Sequence, residues 1–455
     1  MRPSLRPYQV EGVCAIQRQR GRALLADEMG LGKTAQTLVW LERTKSFPAV
    51  VVCPAAVKSV WEHEAALWLG KRAAVLSGQK PAPFRGKTPD IIVINYEILT
   101  YWRPLIASLG AKTLILDECH MIKNRTTLRT KAAQKIARGV PHLIAISGTP
   151  VESRPAEIWT TLNLLDPTKY RSFFTFGMKY CGAVKKPWGW EYKKCTNALG
   201  LHRELKAVMI RRLKKDVAQD LPEKSRCVVP LTMPDEGRRR YFLAETNFVR
   251  WLQTEEGAAT AKRAAKAEEV TKLGALRRLI GEYKVELVTN WIDAFLESTD
   301  RKLIIFGIHK AMIAALIKKY KGQAVAIHGG VPTSKRGAIV RQFQTNAKTR
   351  LFIGQLRAAG AGITLTAASD VVFVEMGWVP AEYAQAEDRP HRIGQKNAVM
   401  CHYLVVADTV DEDLCEVVQE KAFNCGQILD GREGEELDIA DLLQEKIDRR
   451  LDING

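Results

Sequence analysis

Two stretches of this chain share one pattern: short apolar runs that end in a polar or small residue, separated by segments of helical periodicity. The first extends from about Leu24 to Ser147 and predicts strands at Ala49–Cys53, Ile91–Asn95, Thr113–Leu116 and Leu143–Ile146. The second predicts strands at Leu303–Phe306, Ala324–Ile327, Leu351–Ile353, Val371–Val374 and Met400–Val405. Strands that alternate with helices form parallel sheets with crossover helices, so the fold class is α/β. Ligands of such sheets gather at the C-terminal edge, where the polar residues follow the apolar runs.

Between the blocks, from 166 to 275, the strand signal fades and the chain turns basic and helical, as in HRELKAVMIRRLKKDV and the Ala-, Lys- and Glu-rich segment from Glu255 to Thr271. This predicts an insertion with an interdomain connection. The expected organisation is a first α/β domain over 1–165, the helical connection over 166–275, a second α/β domain over 276–430 and an acidic tail over 431–455. Asp430, Glu433, Glu435, Glu436, Asp438 and Asp441 surround Ile439, Leu442 and Leu443 in the tail, which reads as a solvated capping helix rather than an acidic mimic of DNA.

The 455 residues exceed one compact core, at roughly 150 residues per domain. The 69 basic residues outnumber the 50 acidic ones, and a net charge of +19 favours an anionic partner such as nucleic acid, with a membrane surface as the alternative. The sequence contains no run of eighteen apolar residues, and MRPSLRPYQVEGV lacks the apolar core of a signal peptide. A soluble, intracellular protein is expected, cytoplasmic in a bacterial or viral setting, with a nuclear one also open. Nine cysteines without a CxxC pair argue against a disulfide framework or a zinc ribbon. Cys181, Cys195 and His202 come nearest to a metal cluster but lack a fourth ligand.

Chemistry concentrates first in DEMGLGKT, Asp27 to Thr34, between the apolar run Ala23–Ala26 and the helix-compatible AQTLVWLERT. A phosphate needs close backbone approach, supplied by Gly30 and Gly32 about Leu31, a positive charge from Lys33, and an Mg²⁺-binding hydroxyl from Thr34. Asp27 replaces the first glycine of the general GxxxxGK[ST] pattern. LILDECH then places Asp117 and Glu118 at the end of an apolar strand. Adjacent carboxylates there can divide the work, Asp117 holding Mg²⁺ and Glu118 orienting and deprotonating the attacking water. In QAEDRPHRIGQ, Gln385 to Gln395, Arg389 and Arg392 are spaced to share one helix face. They are candidates to reach a γ-phosphate from the second block, which would require the two domains to close.

With these residues in view, the chain resembles helicase superfamily two, and within it the Swi/Snf-type DNA translocase ATPases. LRPYQVEGV, DEMGLGKT, DECH, SGTP (Ser147–Pro150), AGAGITLTAA (Ala359–Ala368) and QAEDRPHRIGQ follow in family order over nearly the whole chain. FFTFGMKYCG, ELKAVMIRRLKKDVAQDLPEK, GITL and HYLVVADTVDEDL are similar to the branch of annealing helicases and fork remodellers. Two departures stand out. Cys119 takes a small buried position where the family more often has Ala, and Glu152, Ser153 and Arg154 replace a glutamine and asparagines, with scope to alter coupling.

The resemblance implies two tandem RecA-like domains with ATP and Mg²⁺ as cofactors. It makes Gln9 the adenine-recognising glutamine, and adds Gly360 and Gly362 to Asp27, Gly30, Leu31, Gly32, Lys33 and Thr34 as nucleotide-binding residues. It further implies DNA contacts around Pro54–Val57, Asn95 and Tyr96, His328 and Gly329, and Arg357–Gly362, with loop punctuation as the alternative for the glycines. KKPWGWEYKK, Lys185 to Lys194, interleaves aromatics with lysines as a nucleic-acid contact would, unless its tryptophans pack inward. The implied function is a monomeric ATP-driven motor on double-stranded or branched DNA, independent of sequence, that remodels DNA structures or DNA-bound proteins, as in DNA repair. A strand-separating DNA or RNA helicase and a nucleotide-gated clamp are the alternatives.

Overall fold

The computed structural model describes residues 3–84, 86–218, 220–246, 268–359 and 362–431. Gly360, the acidic tail beyond residue 431 and most of the Glu255–Thr271 segment lie outside them. The chain divides into two compact units after Asp220, and residues from Ala422 belong again to the first.

In the first unit, helix α1 (Pro7–Arg18) precedes strand β1 (Arg22–Leu25), and helix α2 (Lys33–Thr44) leads to β2 (Ala49–Cys53). There follow β3 (Ala73–Val75), β4 (Ile91–Asn95), β5 (Thr113–Asp117) and β6 (His142–Ile146). Beyond helix α3 (Phe173–Tyr180), β7 (Val184–Lys186) and β8 (Gly189–Glu191) form a separate antiparallel hairpin, and β9 (Met209–Ile210) returns to the main sheet. That sheet has seven strands in the order β3-β4-β2-β5-β6-β1-β9, and every pairing is parallel.

Sequence order is therefore not spatial order, and β5, β6 and β1 end side by side. β2 and β4 are buried along their whole length, which is why they read as continuous apolar runs instead of alternating ones. One face packs Leu24, Val50, Val52, Leu114 and Leu116 with Trp102 and Trp159; the other packs Leu25, Val51, Ile115 and Ile144 with Trp40 and Trp61.

The second unit starts at β10 (Lys224–Leu231), followed by the long helix α4 (Glu268–Ser298), then β11 (Leu303–Gly307), β12 (Ala324–Ile327), β13 (Leu351–Gln355) and β14 (Asp370–Phe373). Helix α5 (Pro380–Glu387), β15 (Val399–Val406) and helix α6 (Val410–Asp430) complete it, except that α6 ends among first-unit residues. The six strands, ordered β10-β15-β14-β11-β13-β12, are again all parallel. Each unit is thus a helix-flanked parallel sheet, as expected for tandem RecA-like domains.

Two expectations need correction. The region where the strand signal fades holds β7, β8, β9 and β10 among the described residues, and β9 and β10 join the main sheets. Arg389 and Arg392 do not share a helix face, because α5 stops at Glu387 and both lie in the turns that follow. Pro390 between them lacks an N–H and disfavours helical backbone before it.

Candidate nucleotide site

The order β5-β6-β1 brings DECH, SGTP and DEMGLGKT to one edge of the first sheet as three neighbouring loops. After β1 the chain turns through Gly30 (φ 85°) and Gly32 (φ 73°), both left-handed, and Gly32 caps α2. A side chain is disfavoured there on backbone grounds. At Gly32 a Cβ would also stand 2.3 Å from Nε2 of Gln9, so that amide would have to move. Gln9 is held in turn, its Oε1 accepting from the Arg6 amide at 2.9 Å and its Nε2 donating to the Leu31 carbonyl at 3.2 Å.

The ammonium of Lys33 donates to the carbonyls of Asp27 (2.6 Å) and Glu28 (3.2 Å). Burial lowers its pKa, against the opposing influence of Glu118, Asp27 and Asp117. Thr34 occupies the first turn of the same helix. The N-terminus of a twelve-residue helix, flanked by left-handed glycines and one half-buried cation, is suited to phosphate.

Asp27 has a different environment from its loop neighbours. Its carboxylate is fully buried and engaged by Arg212, with Nε at 2.9 Å from Oδ1 and a second, very short contact to Oδ2, and by Gln36 Nε2 at 3.0 Å. Only its backbone carbonyl meets Lys33. Arg212 arrives through β9: the Ala26 amide donates to Ile210 O (2.7 Å) and the Glu28 amide to Arg212 O (3.0 Å), extending the ladder beyond β1. Arg211 donates to Ala26 O at 2.8 Å and Gly148 O at 3.2 Å, joining the loops after β1 and β6.

Asp117 ends β5. Trp61 donates to its Oδ2 at 2.7 Å and Tyr96 to its backbone carbonyl at 2.8 Å. Burial and the adjacent Glu118 raise its pKa. Glu118 itself is a non-glycine residue at φ 52°, a strained conformation of order 1–3 kcal/mol that concentrates at functional sites.

Its Oε2 accepts from the Ser147 hydroxyl at 3.3 Å, while that oxygen faces Nδ1 of His120 (3.2 Å) and accepts from the Thr149 amide (3.1 Å). His120 also faces Glu152 (Nε2 to Oε1, 3.8 Å), and Glu152 is paired with Lys123. The acidic substitution at 152 thus enters the network that leads to Glu118. Cys119 is fully buried, as expected.

Tyr96 is fully buried, so its ring supports Asp117 and is not available to DNA. Sequence reasoning also assigned no role to Arg212, Arg211, Trp61 or Ser147. The basic IRRLKK run was the available signal for the two arginines, but nothing local pointed it at Asp27.

In the second unit, Arg389 is only 3% exposed, and its backbone carbonyl accepts from the Leu365 amide at 3.0 Å. Arg392 is half-buried and donates to Asp388 O (3.0 Å) and Thr364 Oγ1 (3.0 Å). Gln395 donates to Thr366 O (3.3 Å) and Ala368 O (2.8 Å). QAEDRPHRIGQ is therefore knitted onto the segment that follows the glycine-rich loop, in which Gly362 has φ 72°. At its start, Glu387 accepts two 2.5 Å bonds from Arg226 and one of 2.6 Å from Tyr403.

Among the described residues, no cluster of three His, Cys, Asp or Glu is arranged to hold a metal ion, and His202 instead bonds the Ile428 carbonyl at 3.0 Å. No helix among them is long and apolar enough to cross a membrane.

Residues 8–280 match the SNF2-related domain, and residues 283–394 match the helicase conserved C-terminal domain. The chain is 34% identical over 432 residues to a Caenorhabditis elegans homolog of SWI/SNF-related matrix-associated actin-dependent regulator of chromatin subfamily A-like protein 1, covering 93% of this chain and 61% of that one. It is 32% identical over 450 residues to human DNA annealing helicase and endonuclease ZRANB3, covering 95% of this chain and 41% of that one. The chain thus spans between about two-fifths and three-fifths of the length of these relatives. A solved SWI2/SNF2 ATPase core from Sulfolobus solfataricus in complex with dsDNA is 24% identical, with a TM-score of 0.46 and 99% and 97% of the two chains covered.

Proposed function

This chain belongs to the SNF2-related family, and on that premise we propose that it is an ATP-driven motor on double-stranded DNA that remodels DNA structures or DNA-bound proteins. The observation that carries this reading is the meeting of Lys33, Asp117, Glu118 and Ser147 at the ends of three adjacent strands and the start of α2. Phosphoryl transfer asks a protein mainly for positioning and charge stabilisation, and this edge offers both. The relatives' names speak of DNA annealing and of chromatin, and the net charge of +19 suits a polyanion.

In this reading Gln9 takes the base, and the amides about Gly30, Leu31 and Gly32 take the phosphates. Lys33 exchanges its two backbone carbonyl partners for phosphate oxygens. Asp117 and the Thr34 hydroxyl are fit to hold Mg²⁺: the neighbouring Glu118 makes ionisation of Asp117 costly, and a divalent cation would offset that cost. When bound, that ion neutralises charge on the phosphates. Glu118, fixed by Ser147, orients and deprotonates water. Arg389 and Arg392 contribute charge stabilisation, Gly360 and Gly362 complete the proposed nucleotide-binding set, and one chain suffices as the motor.

The test is ATPase activity of the wild type and of Glu118→Gln with duplex DNA, single-stranded DNA and RNA. Stimulation by duplex DNA that vanishes in the variant is expected. Stimulation by RNA alone would sink the reading.

A further inference from the structure

The hairpin β7–β8 stands apart from both main sheets, and its tip carries the most exposed large apolar side chain among the described residues, Trp188, at 80%. The register pairs Lys185 with Trp190 and Lys186 with Gly189, so Pro187 and Trp188 form the turn. Gly189 supplies the φ of 131° that closes it.

A lone two-stranded hairpin is marginal in water. This one is fastened at its base. Tyr192 packs on Phe173 (4.8 Å between ring centres) and against Gly177, where a Cβ would stand 2.3 Å from its ring. Trp190 meets Phe174 edge-on at 5.1 Å. The tip aromatic is thus presented on an anchored support and is not folded back onto the core.

The surroundings select the occupant. KKPWGWEYKK carries Lys185, Lys186, Lys193 and Lys194 against one acid, Glu191, which is itself paired with Lys193. Phe174 and Met178 are also half-exposed nearby, but lysine is depleted from the dry centres of protein interfaces. An aromatic face fringed by lysines matches bases joined by phosphates. Stacking needs a base face that a continuous duplex conceals and a fork or single-stranded end offers.

We propose that Trp188 stacks on an unpaired base where duplex DNA gives way to single strand, so that the hairpin selects branched over continuous duplex. This rests on the DNA-motor reading above and adds a substrate preference to it. The experiment measures anisotropy of a labelled fork and of a blunt duplex with the full chain, alongside duplex-stimulated ATPase.

Trp188→Ala should weaken fork binding on the order of tenfold, from the range found for base–aromatic stacking, while blunt-duplex binding changes by less than about twofold. Trp188→Phe should retain most fork affinity. Equal fork affinity in wild type and Trp188→Ala overturns the proposal and leaves the patch to a protein partner. A wild type without duplex-stimulated ATPase overturns the motor reading separately, since anisotropy needs no hydrolysis.

Discussion

The hydroxyl of Ser147 donates to Oε2 of Glu118 at 3.3 Å, so a loop after β6 holds a side chain that follows β5. The same oxygen accepts from the Thr149 amide and faces Nδ1 of His120. Ser147→Ala should lower kcat roughly tenfold with KM for ATP little changed, because the lost bond positions the proposed base and does not bind substrate. Glu118→Gln should lower kcat by about 10² to 10⁴ while fluorescent-nucleotide binding persists.

Asp27 and Arg212 form a buried pair across 185 positions of sequence. Arg212→Ala leaves the carboxylate buried and uncompensated, a change that costs about 3–5 kcal/mol. Thermal or urea unfolding should report that loss, and nucleotide affinity should fall with it because the guanidinium fixes Asp27 at the start of the phosphate loop.

Gly32→Ala meets two penalties, the left-handed backbone and the Gln9 amide. Nucleotide affinity should drop by about tenfold or more, since left-handed backbone alone costs roughly 1–2 kcal/mol. Gln9→Ala should relieve only the second penalty, so the double variant should bind better than the sum of the single losses implies.

Arg392→Ala should leave ATP binding in place and lower turnover by about 10³ or more, as expected of an arginine acting on the transferred phosphoryl group. Single-turnover hydrolysis and equilibrium binding separate the two. Near-normal turnover would refute the assignment. Arg389→Ala should additionally destabilise the second unit, since that side chain is almost wholly buried.

Glu387 is one source of pH dependence in the second unit. Burial alone would raise its pKa, but Lys224 and Arg226, together with the Tyr403 hydroxyl, hold it below the ordinary carboxylate range. A depressed value means stability that is present above the unfolded pKa of about 4.3 and is lost as pH falls through the folded value. Melting temperature should therefore decline on acidification below about pH 4.3. In Glu387→Gln that decline should be shallower and stability at neutral pH lower, because Arg226 loses its partner and Lys224 keeps only Asp388.

The strands β2 and β4 begin and end where the apolar runs do, because burial on both faces of a parallel sheet writes itself into consecutive residues. β10 escaped for the opposite reason: KSRCVVPL opens with charge, alternates in exposure and contains Pro230, which is tolerable at the edge of the sheet. The phosphate loop and the DECH carboxylates were legible since each is a local motif after a strand. The partners that tune them were not. Trp61 lies 56 positions from Asp117, and neither Trp61 nor Tyr96 differs in local pattern from an ordinary core aromatic.

The first unit draws its last pieces from far down the chain. Ile428 and Leu429, at the end of α6, lie in its core, and Asp430 bonds Arg211 at 2.5 Å. A product truncated before residue 428 would therefore leave uncovered the apolar surface of the first unit that Ile428 and Leu429 close, so the two sheets are tied into one order of completion although each is built from its own strands.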